Sequence, residues 1–163
     1  MSTNMVKLIN ALSKNEAIKR LLAHDVSNPF SETLPAIDPK VIFNPDNPLS
    51  KIRPQPFNVG TVTEDGSFIR LYYNRGEFDE SEAIVESAIV IDIIVAESLW
   101  LINDGQKSLV RPYEIMGRIV DMLGKRAIPT TPLRINFNGW QHFAVNEKFG
   151  AIRLYCDYYS VEA

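Results

Sequence analysis

The stretch EAIVESAIVIDIIVAESLWLINDGQKSLVRPYEIMGRIVDMLGKR, Glu82 to Arg126, decides the fold because it joins the longest β-like run of the chain to its best-punctuated helix. From Ala83 the odd positions Ala83, Val85, Ile89, Ile91, Ile93 and Val95 are apolar, interrupted only by Ser87. The even positions mix Glu82, Glu86 and Asp92 with Ile84, Ala88, Val90 and Ile94. A period of two carried by β-branched residues predicts a central strand longer than the usual five or six or so, with one apolar and one mixed face. Asp104-Gly105 then marks a turn, and Pro112 opens a helix where its missing N–H costs nothing. Glu114 suits the positive end of that helix, and Ile115, Ile119, Met122 and Leu123 recur at helical spacing. Gly124, Lys125, Arg126 and Pro129 predict where it stops. The helix is expected across the odd face of the strand, giving a two-layer α+β unit.

Towards the N-terminus, Met5, Leu8, Ile9 and Leu12 recur helically, and Ser13-Lys14-Asn15-Glu16 has a capping-box pattern before Ile18, Leu21 and Leu22. One kinked helix or two short ones are expected over residues 1–24. From Asp25 to Pro56 prolines arrive every few residues, which removes backbone donors and predicts an extended arm. Its apolar residues, including Ile42, Phe43, Leu49 and Ile52, followed by Phe57, are too many for a free linker, so they require a surface in this chain or in a neighbour. Val59 to Thr63 and Phe68 to Asn74, separated by Asp65-Gly66, read as an antiparallel hairpin. Arg75 to Glu80 reads as an acidic connection into the long strand. Beyond the helix, Leu133 to Phe137 and Gln141 to Val145 read as strands about an Asn138-Gly139 turn, and Ala151 to Val161 as the last strand, with Ile152, Leu154, Cys156 and Tyr158 on one face.

The 163 residues suit one domain: a helical segment over 1–24, the arm over 25–56 and an α+β core over 57–163. The expected fold is a mostly antiparallel β-sheet packed by an amphipathic helix, with an N-terminal helix and a long Pro-rich arm. No apolar run approaches the roughly 20 residues of a membrane span, and the first 20 residues lack the pattern of a secretory signal. A formal net charge of −3 argues against a general nucleic-acid-binding surface. The single cysteine, Cys156, sits in an apolar alternation and is expected to be buried and inert.

Little in the chain points to chemistry. Two histidines, His24 and His142, and one cysteine do not make a zinc set, and neither a nucleophile elbow nor a phosphate-binding glycine loop is present. Trp140-Gln141-His142 offers a ligand-binding tip, or more plainly a half-buried loop. Asp92, a carboxylate inside an apolar strand, reads as the partner of Arg70 or Arg153 across the sheet rather than as a catalytic or metal-binding acid. Glu77, Asp79, Glu80 and Glu82 form an acidic cluster that reads first as a solvated loop.

The helix ending KRLLAHDVSNP, the strand AIVIDIIVAESLWLI, the segment LVRPYEIMGRIVDML and the closing GAIRLYCDYYSVE span nearly the whole chain, with Leu109, Arg111 and Pro112 as the most specific letters. In order and texture the chain resembles the phage tail-terminator and tail-completion proteins that join head to tail. That resemblance implies a non-enzymatic virion protein without cofactors, a homo-oligomer that is commonly a hexameric ring. It implies assembly in the host cytoplasm and a place at the tail–neck junction, between the tail tube protein and the head-closure or connector protein. Ile42, Phe43, Leu49, Ile52 and Phe57 would then lie on an adjacent subunit, and Glu77, Asp79, Glu80 and Glu82 would line a lumen through which DNA passes without specific binding. A head-closure or adaptor ring, or a small enzyme or regulator using the Trp140 to His142 loop, are the alternatives.

Overall fold

The computed structural model describes residues 1–124 and 135–158. In chain order the elements are α1 (Ser2–Lys14), α2 (Glu16–Ala23), α3 (Pro39–Ile42), β1 (Ile52–Arg53), β2 (Ser67–Phe78), β3 (Ile84–Ala96), β4 (Leu101–Asn103), β5 (Ser108–Val110), α4 (Arg111–Leu123), β6 (Ile135–Ala144) and β7 (Phe149–Tyr158). The main sheet has the order β1-β2-β3-β7-β6, antiparallel except for the short parallel β1–β2 pair, and β4 and β5 form a separate hairpin. The fold is α+β, and β3 is its long central strand, as the alternation requires.

The odd face of β3 meets the helices. Ile89, Ile91, Ile93 and Val95 share one core with Leu8 and Leu12 of α1, Ile18, Leu21 and Leu22 of α2, and Ile115 and Ile119 of α4. Each of these branched side chains is almost wholly removed from water, a contribution of about 1.5–3 kcal/mol apiece relative to exposure. The even face is covered at one end by a smaller core. There Phe68, Ile94, Ala96, Phe149, Ala151 and Val62 pack with Phe57. Phe57 stacks obliquely on Phe68 and edge-on to Phe149, with centroids 5.6 and 5.4 Å away.

The segment 54–63 therefore acts as a cover and not as a strand. Val59 to Thr63, expected to pair with β2, is a turn closed by Asn58, whose carbonyl accepts from Thr61 N and Val62 N. The true partner of β2 is β3, and β2 runs on through Phe78, so Arg75 to Phe78 is strand where a connection was expected. The Asn138-Gly139 turn is also absent. Residues 135–144 form one strand with a bulge between Phe137 and Gly139, which absorbs the turn-like dipeptide. The hairpin turns later, at Asn146, whose side chain accepts from the backbone N–H groups of Lys148 and Phe149.

At the N-terminus there are two helices, and the cap is Asn15, not Ser13. Asn15 Oδ1 accepts from Ile18 N at 3.0 Å, while Ser13 bonds back to the carbonyl of Ile9. Pro112 lies in the first turn of α4, and Gly124 follows its last residue in an extended conformation. Lys125, Arg126, Pro129 and Leu133, with Tyr159 to Val161, lie outside the described residues. The Asp104-Gly105 turn joins β4 to β5, with Gly105 at φ 91°. No helix among the described residues is long and apolar enough to cross a membrane.

Candidate assembly surfaces

The Pro-rich arm begins at a buried cation. Arg111 is fully buried, and its guanidinium donates to the carbonyls of Leu21, His24, Val26 and Leu99. The first two belong to the last turn of α2 and its cap, where carbonyls lack helical partners and the helix dipole is negative. Burial pushes the Arg111 pKa down, opposed by the charge of Asp25. Four carbonyls thus replace a carboxylate as its counter-charge, and they tie α2, the start of the arm and α4 together.

Several apolar residues of the arm pack on their own chain. Ile42 and Ile52 are fully buried members of the main core, and Phe43 is half-buried against it. Ile52 belongs to β1, whose pairing with Ile69 and Arg70 of β2 adds the arm to the sheet. Phe57 is half-buried in the smaller core. Of the five residues assigned to a neighbouring subunit, Leu49 alone is exposed, at 52%. For Ile42 and Ile52 the expectation fails because proline spacing excludes a helix but does not prevent single branched side chains from reaching the core.

Asp92 is paired, as its position between charges suggests. Arg153, its register partner on β7, donates from Nε to Oδ1 at 2.7 Å and from Nη2 to Oδ2 at 2.9 Å. The Tyr72 hydroxyl donates to Asp92 Oδ2 at 3.3 Å and accepts from Arg153 Nη2 at 3.1 Å. The bonds to Asp92 raise the Arg153 pKa, and desolvation followed by the Asp92 charge raises that of Tyr72. Arg70, the other partner considered, faces Asp92 in register but donates to the carbonyls of Lys51 and Ile69, with its guanidinium near the rings of Phe57 and Phe68.

The Trp140-Gln141-His142 segment is not a loop. It lies on β6, which has no strand on its outer side among the described residues. Trp140, 53% exposed, meets Tyr113 edge-on, Tyr113 meets Trp100, and Trp100 meets His142 at a centroid distance of 5.7 Å. Trp100 is held by its indole N–H on the Val95 carbonyl, and it lies so close to Gly150 that a Cβ there would come within 2.8 Å of the ring. The aromatic row is built into the fold. The Cys156 thiol is buried, which pushes its pKa up to about 12. Among the described residues no group of three His, Cys, Asp or Glu is placed to hold a metal ion.

Glu77, Asp79, Glu80 and Glu82 come together at the far end of the β2–β3 hairpin. β3 pairs with β7 only from Ser87 onward, so the hairpin beyond that point has no strand on the β3 side among the described residues. Asn74 to Ile84 are exposed throughout. The tip is ordered by Asp79, which accepts from Ser81 N, Ser81 Oγ and Ala83 N and lets Glu82 adopt a φ of 62°. The Ser81 hydroxyl and then the Ala83 amide hold the Asp79 pKa below its ordinary value. Between the acids stands Phe78, 70% exposed, in register with Ile84, 43% exposed. Sequence reasoning missed Phe78, although an aromatic residue inside an acidic run was the available signal.

The described residues make a small α+β protein with a mostly antiparallel sheet. The chain belongs to the YomW family, a phage-associated family whose model matches residues 15–158. Comparison with curated proteins and with solved structures gave no match.

Proposed function

We propose that this is a structural virion protein of a tailed phage, a ring-forming tail terminator. It caps the head-proximal end of the tail tube and joins it to the head connector. Membership of a phage-associated family is the observation that carries the reading. Two surface features support self-assembly. Among the described residues no strand pairs with the outer edge of β6, which carries no Asp, Glu, Lys, Arg or Pro, where edges of monomeric proteins are usually protected by charge or proline. The projecting hairpin keeps a phenylalanine in water although its turn is fully ordered. Both features offer contacts to other chains. The partners on this reading are further copies of the chain, the tail tube protein below and the head-closure or connector protein above, with DNA passing through without specific binding. Negative-stain imaging of the purified protein mixed with tail tubes tests it: rings at one end of the tubes support termination, whereas rings that bind only heads assign the protein to head closure.

A further inference from the structure

We propose that Arg70, Arg53 and Lys51 hold a free tetrahedral oxyanion such as phosphate at the β1 corner of the sheet, on the face turned away from the helices. Ile52 and Ile69 are in register and belong to the core beneath the helices, so their neighbours Lys51, Arg53 and Arg70 project to the other face. There Lys51 Nζ and the Arg70 guanidinium lie 4.6 and 5.4 Å from the centre of the Phe68 ring. Arg53 and Arg70 are register partners, and like charges side by side in a sheet repel. Among the described residues no ion pair joins any of the three to a carboxylate. Asp92, the register partner of Arg70 on its other side, is engaged by Arg153 and Tyr72.

Arg70 and Arg111 are both buried, but they use their donors differently. Every guanidinium nitrogen of Arg111 donates to a carbonyl. Arg70, 3% exposed, donates from Nη1 alone, to the carbonyls of Lys51 and Ile69. Its Nε and Nη2, the parallel pair with which an arginine grips an oxyanion, bond nothing among the described residues. The buried side-chain atoms without a partner among those residues are Ser67 Oγ and Ser87 Oγ, so Nε and Nη2 of Arg70 open to solvent. Arg53 bonds Gln55 through Nε and the carbonyls of Asn44 and Asn47 through Nη1, which leaves Nη2, and Lys51 Nζ donates to no oxygen. The Phe57 and Phe68 rings attract the Arg70 charge but give its N–H groups no oxygen. Burial and then the charge of Arg53 pull the Arg70 pKa down to about 10, and no carboxylate offsets either cause. An ion with two negative charges balances three cations better than a single carboxylate does. Because Arg70 is recessed, the site suits one free ion and not a continuous phosphate backbone.

Heteronuclear NMR of the arginine side-chain N–H groups tests it on the full chain near neutral pH. Inorganic phosphate is titrated in against chloride at matched ionic strength, with acetate as the singly charged comparison. The Arg70 Nε–H resonance is expected to shift saturably with phosphate, to stay in place with chloride, and to respond only weakly to acetate. Arg53→Gln and Lys51→Met should each weaken phosphate binding about tenfold, the loss of one charge-assisted contact. Lys51→Met leaves every backbone bond of β1 in place, so it serves as the test even where Arg53→Gln loosens the arm, and circular dichroism checks that each variant is folded. An Arg70 resonance that phosphate leaves unmoved, a shift that chloride or acetate reproduces in full, or wild-type affinity retained in both variants would overturn the inference.

Discussion

The guanidinium of Arg111 closes the end of a helix almost ninety positions earlier in the chain, donating from Nη1 to the carbonyl of His24 at 3.2 Å. It also reaches Leu21, Val26 and Leu99, so one buried side chain satisfies four backbone acceptors. Arg111→Met keeps the aliphatic stem but strands those carbonyls, at about 1–3 kcal/mol for a buried unsatisfied group. We expect a loss of about 3 kcal/mol in urea unfolding, with Arg111→Lys intermediate because one ammonium cannot reach every acceptor. A loss below about 1 kcal/mol would mean that water replaces the guanidinium.

The Asp92–Arg153 pair makes a different kind of demand. Asp92 is almost wholly buried and Arg153 only partly so. Removing the arginine leaves an uncompensated buried carboxylate, whereas replacing both partners with apolar residues removes the desolvation cost along with the attraction. Arg153→Met is expected to cost about 2–3 kcal/mol, and Asp92→Val with Arg153→Met less than either single change. A double-mutant cycle of urea midpoints measures the coupling, and simple additivity would show that the pair contributes nothing as a pair.

The position of the arm is tested by two aspartates. Ile52→Asp places an unpaired charge in the core and should cost about 4 kcal/mol or more, unfolding the domain at 37 °C. Leu49→Asp, at an exposed site, should stay within about 0.5 kcal/mol of wild type. Equal and small effects in circular dichroism melts would mean that β1 is not docked in solution.

The hairpin turn carries its own pH signature. The folded pKa of Asp79 is depressed, so its stabilising hydrogen bonds are complete above the ordinary aspartate pKa and are lost as pH falls through the lower folded value. An NMR titration should find Asp79 below a free aspartate, and Ser81→Ala should move it back upward because the largest cause of the shift is removed. An unshifted Asp79 would remove the ordered turn.

Much of the scaffold is legible in residues 82–126, because one face of β3 is buried from Ser87 to Val95 and period-two alternation reports that directly. Pro112 locates α4 for an equally local reason. The errors fall where tertiary pairing overrides local turn chemistry. Asn138-Gly139 has the composition of a hairpin turn, yet β7 pairs on both sides of it, so the extra residue becomes a bulge. Asp65-Gly66 marks a bend, but Val59 to Thr63 covers Phe68 and Ile94 instead of pairing beside them. The choice between Arg70 and Arg153 for Asp92 was open in the sequence, since β2 and β7 both flank β3, and backbone carbonyls at Lys51 and Ile69 draw Arg70 away.

The most direct test of the terminator reading is a negative-stain image of tail tubes assembled with and without the purified protein. Tubes of uniform length, each carrying a ring of this protein at one end, are the predicted result. Tubes that grow without limit in its presence, with no ring at either end, would contradict it.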